Sequence, residues 1–139
     1  MLEVNALEFG FDRPLVTGLC FSVPKGQIRL LHGASGCGKS TLLALISGTE
    51  TADVNWAGDI RLDGDDIGDL PAHRRQIGLM YQDALLFPHL TVGENLAFGL
   101  IPPIRGKARH AAVQDALAAA SLNGFGQRYP ASLSGGQAA

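Results

Sequence analysis

The chain has 139 residues, 46% of them hydrophobic and 17% charged, with a formal charge of −2. That size and apolar content fit one packed domain, and the near-neutral balance gives no electrostatic case for nucleic acid or anionic lipid as a partner. Cys20 and Cys37 make no disulfide framework, Met1-Leu2-Glu3-Val4-Asn5 lacks the regions of a signal peptide, and no uncharged stretch is long enough to span a bilayer. These features predict a reducing, intracellular setting in which any work at a membrane needs a partner.

In chain order, the first thirty residues read as strands. Leu2, Val4 and Ala6 alternate with polar neighbours, and Leu15 to Val23 is apolar and β-branched in patches. Pro24-Lys25-Gly26 predicts a turn, and Ile28-Arg29-Leu30-Leu31 a short buried strand. Gly33 to Gly38 is a glycine-rich loop. Lys39 to Ser47, rich in Leu and Ala, predicts a helix closed by Gly48. From Thr49 to Leu70 the chain is polar and Asp-rich, with one strand expected at Asp59 to Leu62 and a turn at Asp63-Gly64. Ile77 to Tyr81 suits a second buried, parallel strand.

After Gln82 the texture becomes helical. Thr91-Val92-Gly93-Glu94 has the form of a capping box and predicts a helix to about Leu100, ended by Ile101-Pro102-Pro103. Ala108 to Leu122, nearly half alanine, predicts another, stopped by Asn123-Gly124. Lys and Arg are scattered, with Arg74-Arg75 their only adjacent pair.

Gly33-Ala34-Ser35-Gly36-Cys37-Gly38-Lys39-Ser40, followed by Thr41, fits the phosphate-binding P-loop pattern. Glycines allow torsions that side chains forbid and let main-chain N–H groups approach a phosphate. A helix starting near Lys39 adds unpaired N–H groups and a positive dipole end. Lys39 supplies a point charge for the β and γ phosphates, and the Ser40 hydroxyl suits Mg²⁺. With this composition the pattern arises by chance in roughly 0.4% of shuffled chains, so a fortuitous glycine-rich turn is a poor explanation. Cys37 reads as a small residue that fits the loop, with no catalytic role.

A P-loop alone leaves kinases, GTPases and many motors open. Leu133-Ser134-Gly135-Gly136-Gln137 narrows the choice, because Ser134 can cap a helix while Gly135 and Gly136 leave its N–H groups bare for an anion. With both motifs in this order, the chain resembles the ATP-binding subunits of ABC transporters. Gly33 to Thr41 matches their Walker A segment, Gln82 after an apolar run matches their Q-loop, and Leu133 to Gln137 their signature. The absence of a spanning segment, with strands starting at Met1, favours the importer type.

The resemblance implies an α/β fold, a P-loop NTPase core with an N-terminal antiparallel β portion in residues 1–82 and a helical subdomain in residues 83–139. It implies ATP and Mg²⁺ as ligands. Lys39 and Gln82 become the catalytic residues, with Ser40 and Gln82 on the metal. Gly33, Ala34, Ser35, Gly36, Cys37, Gly38, Lys39, Ser40 and Thr41 would hold the phosphates. Phe11, with Phe9 as the alternative, would stack on adenine. Ser134, Gly135, Gly136 and Gln137 would meet the γ-phosphate held by a second ATP-binding subunit, in a head-to-tail dimer. Transmembrane permease subunits are the other implied partners, with Leu85 to Leu90 near the groove that receives one of their helices. No nucleic acid is expected, and the place of work is the cytoplasmic face of the cell membrane, peripherally.

The family continues past its signature with an apolar strand ending in Asp-Glu, a D-loop and a switch histidine, none of which precedes Ala139. The missing Glu would be the general base, so this chain is expected to bind nucleotide, to hydrolyse it poorly, and to be marginally stable with an open sheet edge. Asp63, Asp65 and Asp66 read as solvated carboxylates, and His32, His73, His89 and His110 show no ligand spacing. One alternative is a soluble ABC ATPase of DNA repair or translation; the roughly fifty residues between Gln82 and Leu133 lack the heptads of the coiled-coil repair class. A truncated, non-hydrolysing nucleotide binder is the other.

Overall fold

The computed structural model describes residues 1–49, 53–100 and 104–138. They fall into two units, Met1–Leu79 and Met80–Ala139.

In the first unit, β1 (Leu2–Gly10) lies between β2 (Pro14–Val23) and β3 (Asn55–Leu62), and a short β4 (Asp65–Asp66) extends the sheet beyond β3. All pairings are antiparallel. The β3–β4 connection is Asp63-Gly64, whose φ values of 54° and 95° suit the tight Asp-Gly hairpin turn. The strand expected at Asp59 to Leu62 therefore forms, but begins earlier, at Asn55.

The alternation expected in β1 breaks after Val4. Ala6 adopts φ 48° and is exposed, and the pairing register shifts between Val4 and Leu7 against β2 and between Asn5 and Glu8 against β3. This bulge moves the buried set from Ala6 to Leu7 and Phe9. Gly58 faces it at φ 116°, where a β-carbon would lie 2.7 Å from the Ala6 carbonyl oxygen. Only glycine allows the two strands to approach so closely.

Helix α1 (Lys39–Ser47) contributes Leu42, Leu45 and Ile46 to a core shared with Val4, Leu7, Phe9, Ile60 and Ile67. Each such side chain stabilises the fold by about 1.5–3 kcal/mol when fully buried. Gly48, at φ 75°, ends the helix as expected, and its N–H and that of Thr49 both reach the Ala44 carbonyl. The next two carbonyls are capped from elsewhere. Arg75, the last residue of α2 (Ala72–Arg75) and only 7% exposed, donates from Nη1 to Leu45 O at 2.5 Å and Ile46 O at 3.2 Å. Its Nε and Nη2 donate to Leu70 O and Gly68 O, each at 2.6 Å.

Two expected strands do not form. Ile28 is 98% and Leu30 86% exposed in the first run, and Met80 is 91% exposed in the second. A buried parallel strand needs neighbours to take its ladder hydrogen bonds and layers over both faces. Among the described residues no strand pairs with Ile28 to Leu31 or with Ile77 to Tyr81.

In the second unit, α3 (Val92–Phe98) and α4 (Gly106–Ala119) pack through Val92, Val113 and Leu117, with Leu100, Leu122, Phe125 and Leu133 against them. The capping box that opens α3 is complete: Thr91 N–H donates to Glu94 Oε2 at 2.7 Å and Glu94 N–H to Thr91 Oγ1 at 3.2 Å. The stop expected at Ile101-Pro102-Pro103 lies outside the described residues. Helix α4 ends before its expected Asn123-Gly124 stop, because Ser121 at φ 60° turns the chain and the Leu122 N–H closes on Leu117 O. A 3-10 turn (Pro130–Ser132) then leads into the short α5 (Gly135–Ala138). No helix among the described residues is long and apolar enough to cross a membrane.

Candidate nucleotide-binding site

The glycine loop enters α1 without a side-chain cap. Gly38 is the N-cap residue at φ 92°, and Gly36 sits at φ 79°. Leu42 N–H closes the first helical turn on Gly38 O at 2.8 Å, so the N–H groups of Lys39, Ser40 and Thr41 precede the intrahelical ladder. Such an end, with no side-chain cap, carries the positive pole of the helix.

Sterics explain two of the loop's glycines. A β-carbon at Gly38 would meet Leu15 Cδ2 at 2.9 Å and Phe9 Cε2 at 3.0 Å, and one at Gly33 would meet Cys37 Sγ at 2.9 Å. At Gly36 a β-carbon would meet nothing, so only its torsion asks for glycine there.

Lys39 folds back over the loop. Its Nζ donates to Ala34 O at 2.6 Å and Gly33 O at 2.9 Å, with Cys37 Sγ at 3.8 Å. The ammonium is thus held inside the ring of the loop, where an anion drawn to the helix end would meet it. Both cysteines are free and exposed.

Phe11, Leu15, Ser35, Gly36, Gly38, Lys39, Ser40 and Thr41 line one cavity of about 350 Å³. Among the aromatics weighed for adenine, Phe9 is 1% exposed and belongs to the core, whereas Phe11 is 51% exposed at the cavity wall. Among the described residues no Asp or Glu lines this cavity. Its oxygen donors suit Mg²⁺, which commonly completes its shell with water and substrate phosphate. Leu15 enters the site from β2, far from the loop in sequence, and no motif marked it.

Gln82 and the segment Ser134 to Gln137 belong to the second unit. Gln82 is exposed, as are Ser134, Gly135, Gly136 and Gln137. The Gln137 side chain accepts from Ser134 N–H at 3.0 Å, while Gln137 N–H and Ala138 N–H reach Ser134 O. A β-carbon at Gly135 or Gly136 would meet nothing within 4 Å, so packing within this chain does not require either glycine. The carboxylates set aside in the sequence stay at the surface. Asp63 pairs with Lys25 at 3.1 Å and with the N-terminal amine, and Asp66 accepts from Gly68 N–H at 2.9 Å. Among the described residues no cluster of His, Cys, Asp and Glu could hold a metal ion.

The profile of the ABC transporter family matches residues 16–139. The chain is 45% identical over 125 residues to the uncharacterized ABC transporter ATP-binding protein YnjD of Escherichia coli, covering 90% of this chain and 58% of that protein. It is 43% identical over 139 residues to the spermidine/putrescine import ATP-binding protein PotA of Salmonella typhimurium, covering 99% of this chain and 36% of that one. It thus spans between about a third and three fifths of the length of these relatives. Among solved structures, the ATP-binding cassette MJ0796, a dimer in a post-hydrolysis state bound to ADP and Pi, is similar with a TM-score of 0.82 at 25% identity, over 99% of this chain and 65% of that one. With both motifs in place and the profile matched over most of its length, the chain belongs to the ABC transporter family.

Proposed function

We propose that this chain is the nucleotide-binding portion of the ATPase subunit of an ABC importer, working peripherally at the cytoplasmic face of the cell membrane. The observation that carries this reading is the open N-terminal end of α1, with Lys39 held among loop carbonyls and Phe11 exposed at the wall of the same cavity.

In this reading Lys39 exchanges the Gly33 and Ala34 carbonyls for the β- and γ-phosphate oxygens of ATP. The loop from Gly33 to Thr41 wraps the phosphates, Phe11 stacks on adenine, and Ser40 and Gln82 hold Mg²⁺. Once bound, the metal offsets charge on the transferred phosphoryl group. Gln82 orients the attacking water. Because none of the described residues lining the cavity is a carboxylate, the chain alone binds nucleotide and turns it over far below about 1 s⁻¹, the low end of ordinary enzyme rates.

The partners follow from exposed features. Gly135 and Gly136, flanked by Ser134 and Gln137, offer main-chain donors to the γ-phosphate on a second ATP-binding subunit, arranged head to tail. Leu85, Phe87, Leu96 and Phe98 line an apolar groove of about 350 Å³, a seat for a helix of the transmembrane permease. PotA, whose name makes it an import ATP-binding protein, supports the importer reading, and YnjD, named as an ABC transporter ATP-binding protein, supports the transport role.

Titration calorimetry of Mg-ATP into the chain and its Lys39→Ala variant tests the core of this reading. Binding that is lost in the variant is expected. A folded chain that binds no Mg-ATP would overturn it.

A further inference from the structure

Helix α1 is finished at one end and open at the other. At its C-terminus, Gly48 and Thr49 satisfy Ala44 O, and Arg75 satisfies Leu45 O and Ile46 O. At its N-terminus no side chain caps it. Arg75 is an unusual choice for the closed end. Its guanidinium is buried, burial pushes its pKa down against the opposing pull of Asp69 and Asp66, and among the described residues no carboxylate lies within ion-pair distance of it. Four carbonyls from two stretches of chain take its place: Leu45 and Ile46 at the end of α1, and Gly68 and Leu70 just before α2. The fit is close, since a β-carbon on Gly48 would lie 2.5 Å from Arg75 Nε.

We propose that Arg75 is a positioning residue for nucleotide binding, clamping the C-terminus of α1 so that the phosphate loop at its N-terminus is held in binding geometry. This rests on the reading of that loop as a nucleotide site. A nine-residue helix is short, and its frayed end would let its axis and the loop wander. Lysine cannot replace Arg75 fully, because a planar fork reaches carbonyls on several sides while an ammonium offers three donors at one point.

Mg-ATP is titrated calorimetrically into the full chain and into Arg75→Met and Arg75→Lys, at a temperature where circular dichroism shows each folded. Kd is expected to rise about tenfold in Arg75→Met, within the usual span of coupling between sites, with partial recovery in Arg75→Lys. A purely structural arginine would lower the melting temperature and leave the affinity of the folded molecules unchanged. Affinity within twofold of wild type in folded Arg75→Met would therefore overturn the proposal. If that variant does not fold, the wild-type chain decides by NMR. By reciprocity, Mg-ATP should slow solvent exchange of the Arg75 Nε proton about tenfold, and an unchanged rate overturns the clamp. A wild-type chain that binds no Mg-ATP overturns the nucleotide reading itself, which is seen before any variant is compared.

Discussion

Gly38 and Leu15 are in contact with no room for a methyl group between them: a β-carbon on Gly38 would stand 2.9 Å from Leu15 Cδ2. Buried Phe9, whose Cε2 would lie 3.0 Å from the same β-carbon, closes the space further. Gly38→Ala carries a second penalty, because φ 92° is a torsion that costs an L-residue about 1–3 kcal/mol. Strain and clash together are expected to abolish Mg-ATP binding. Gly36→Ala, with open space around it, meets only the torsional penalty and should bind more weakly without losing the site. Calorimetry on both variants checks this ordering, and equal affinities would refute it.

The two phenylalanines before the loop should separate in their effects. Phe9 is buried in the core, so Phe9→Ala should cost about 3–5 kcal/mol of stability. Phe11 is half exposed, so Phe11→Ala should change stability by no more than about 0.5 kcal/mol. If Phe11 stacks on adenine, its alanine variant loses affinity for ATP and not for tripolyphosphate, which has no base. Competition binding of the two ligands makes the comparison, and equal losses would remove Phe11 from the base site.

Local chemistry was legible in the sequence and long-range pairing was not. The residues from Lys39 to Gly48 carry their own start and stop signals, and α1 has those bounds. Thr91 and Glu94 specify a capping box within four residues, and both of its hydrogen bonds form. The apolar runs Ile28 to Leu31 and Ile77 to Tyr81 read as strands because hydrophobicity marks what could be buried, whereas a ladder needs a partner the run does not encode. In β1, the bulge at Ala6 defeats a period of two, and Gly58, its counterpart, is fifty-two positions away. For the phosphate loop, motif and torsions agree at Gly36 and Gly38. Leu15 and Arg75 carry no local signal. Arg75 was visible only as half of the Arg74-Arg75 pair, because two of its four carbonyl partners, Leu45 and Ile46, lie about thirty positions away.

The α3 capping box should make the second unit sensitive to acid. The Thr91 N–H, then the Thr91 hydroxyl, hold Glu94 below the usual carboxylate range. A carboxyl with a depressed folded pKa adds stability above its unfolded value that is lost as pH falls through the folded one. Helix content around α3 should therefore fall below about pH 4.5, and Glu94→Gln should flatten that dependence. At neutral pH, Thr91→Ala should cost about 1 kcal/mol by removing the other half of the box. Circular dichroism against pH, with urea melts at pH 7, gives both numbers. A Glu94→Gln profile that matches wild type would show that the ionisation of Glu94 adds nothing measurable.

The two units should open separately. Among the described residues, eight buried hydrophobic side chains form the first core, whereas the second rests on Val92, Val113 and Leu117. Leu117 is 1% exposed, and replacing it with alanine should cost about 2–5 kcal/mol. That is a large fraction of what so small a core supplies. Native-state hydrogen exchange should then find the α4 amides opening before those of β1 and β3, and Leu117→Ala should speed exchange in α4 while leaving the sheet unchanged. If β1 and α4 instead exchange through one common opening in both proteins, the units fold as a single cooperative body and this picture of their stability fails.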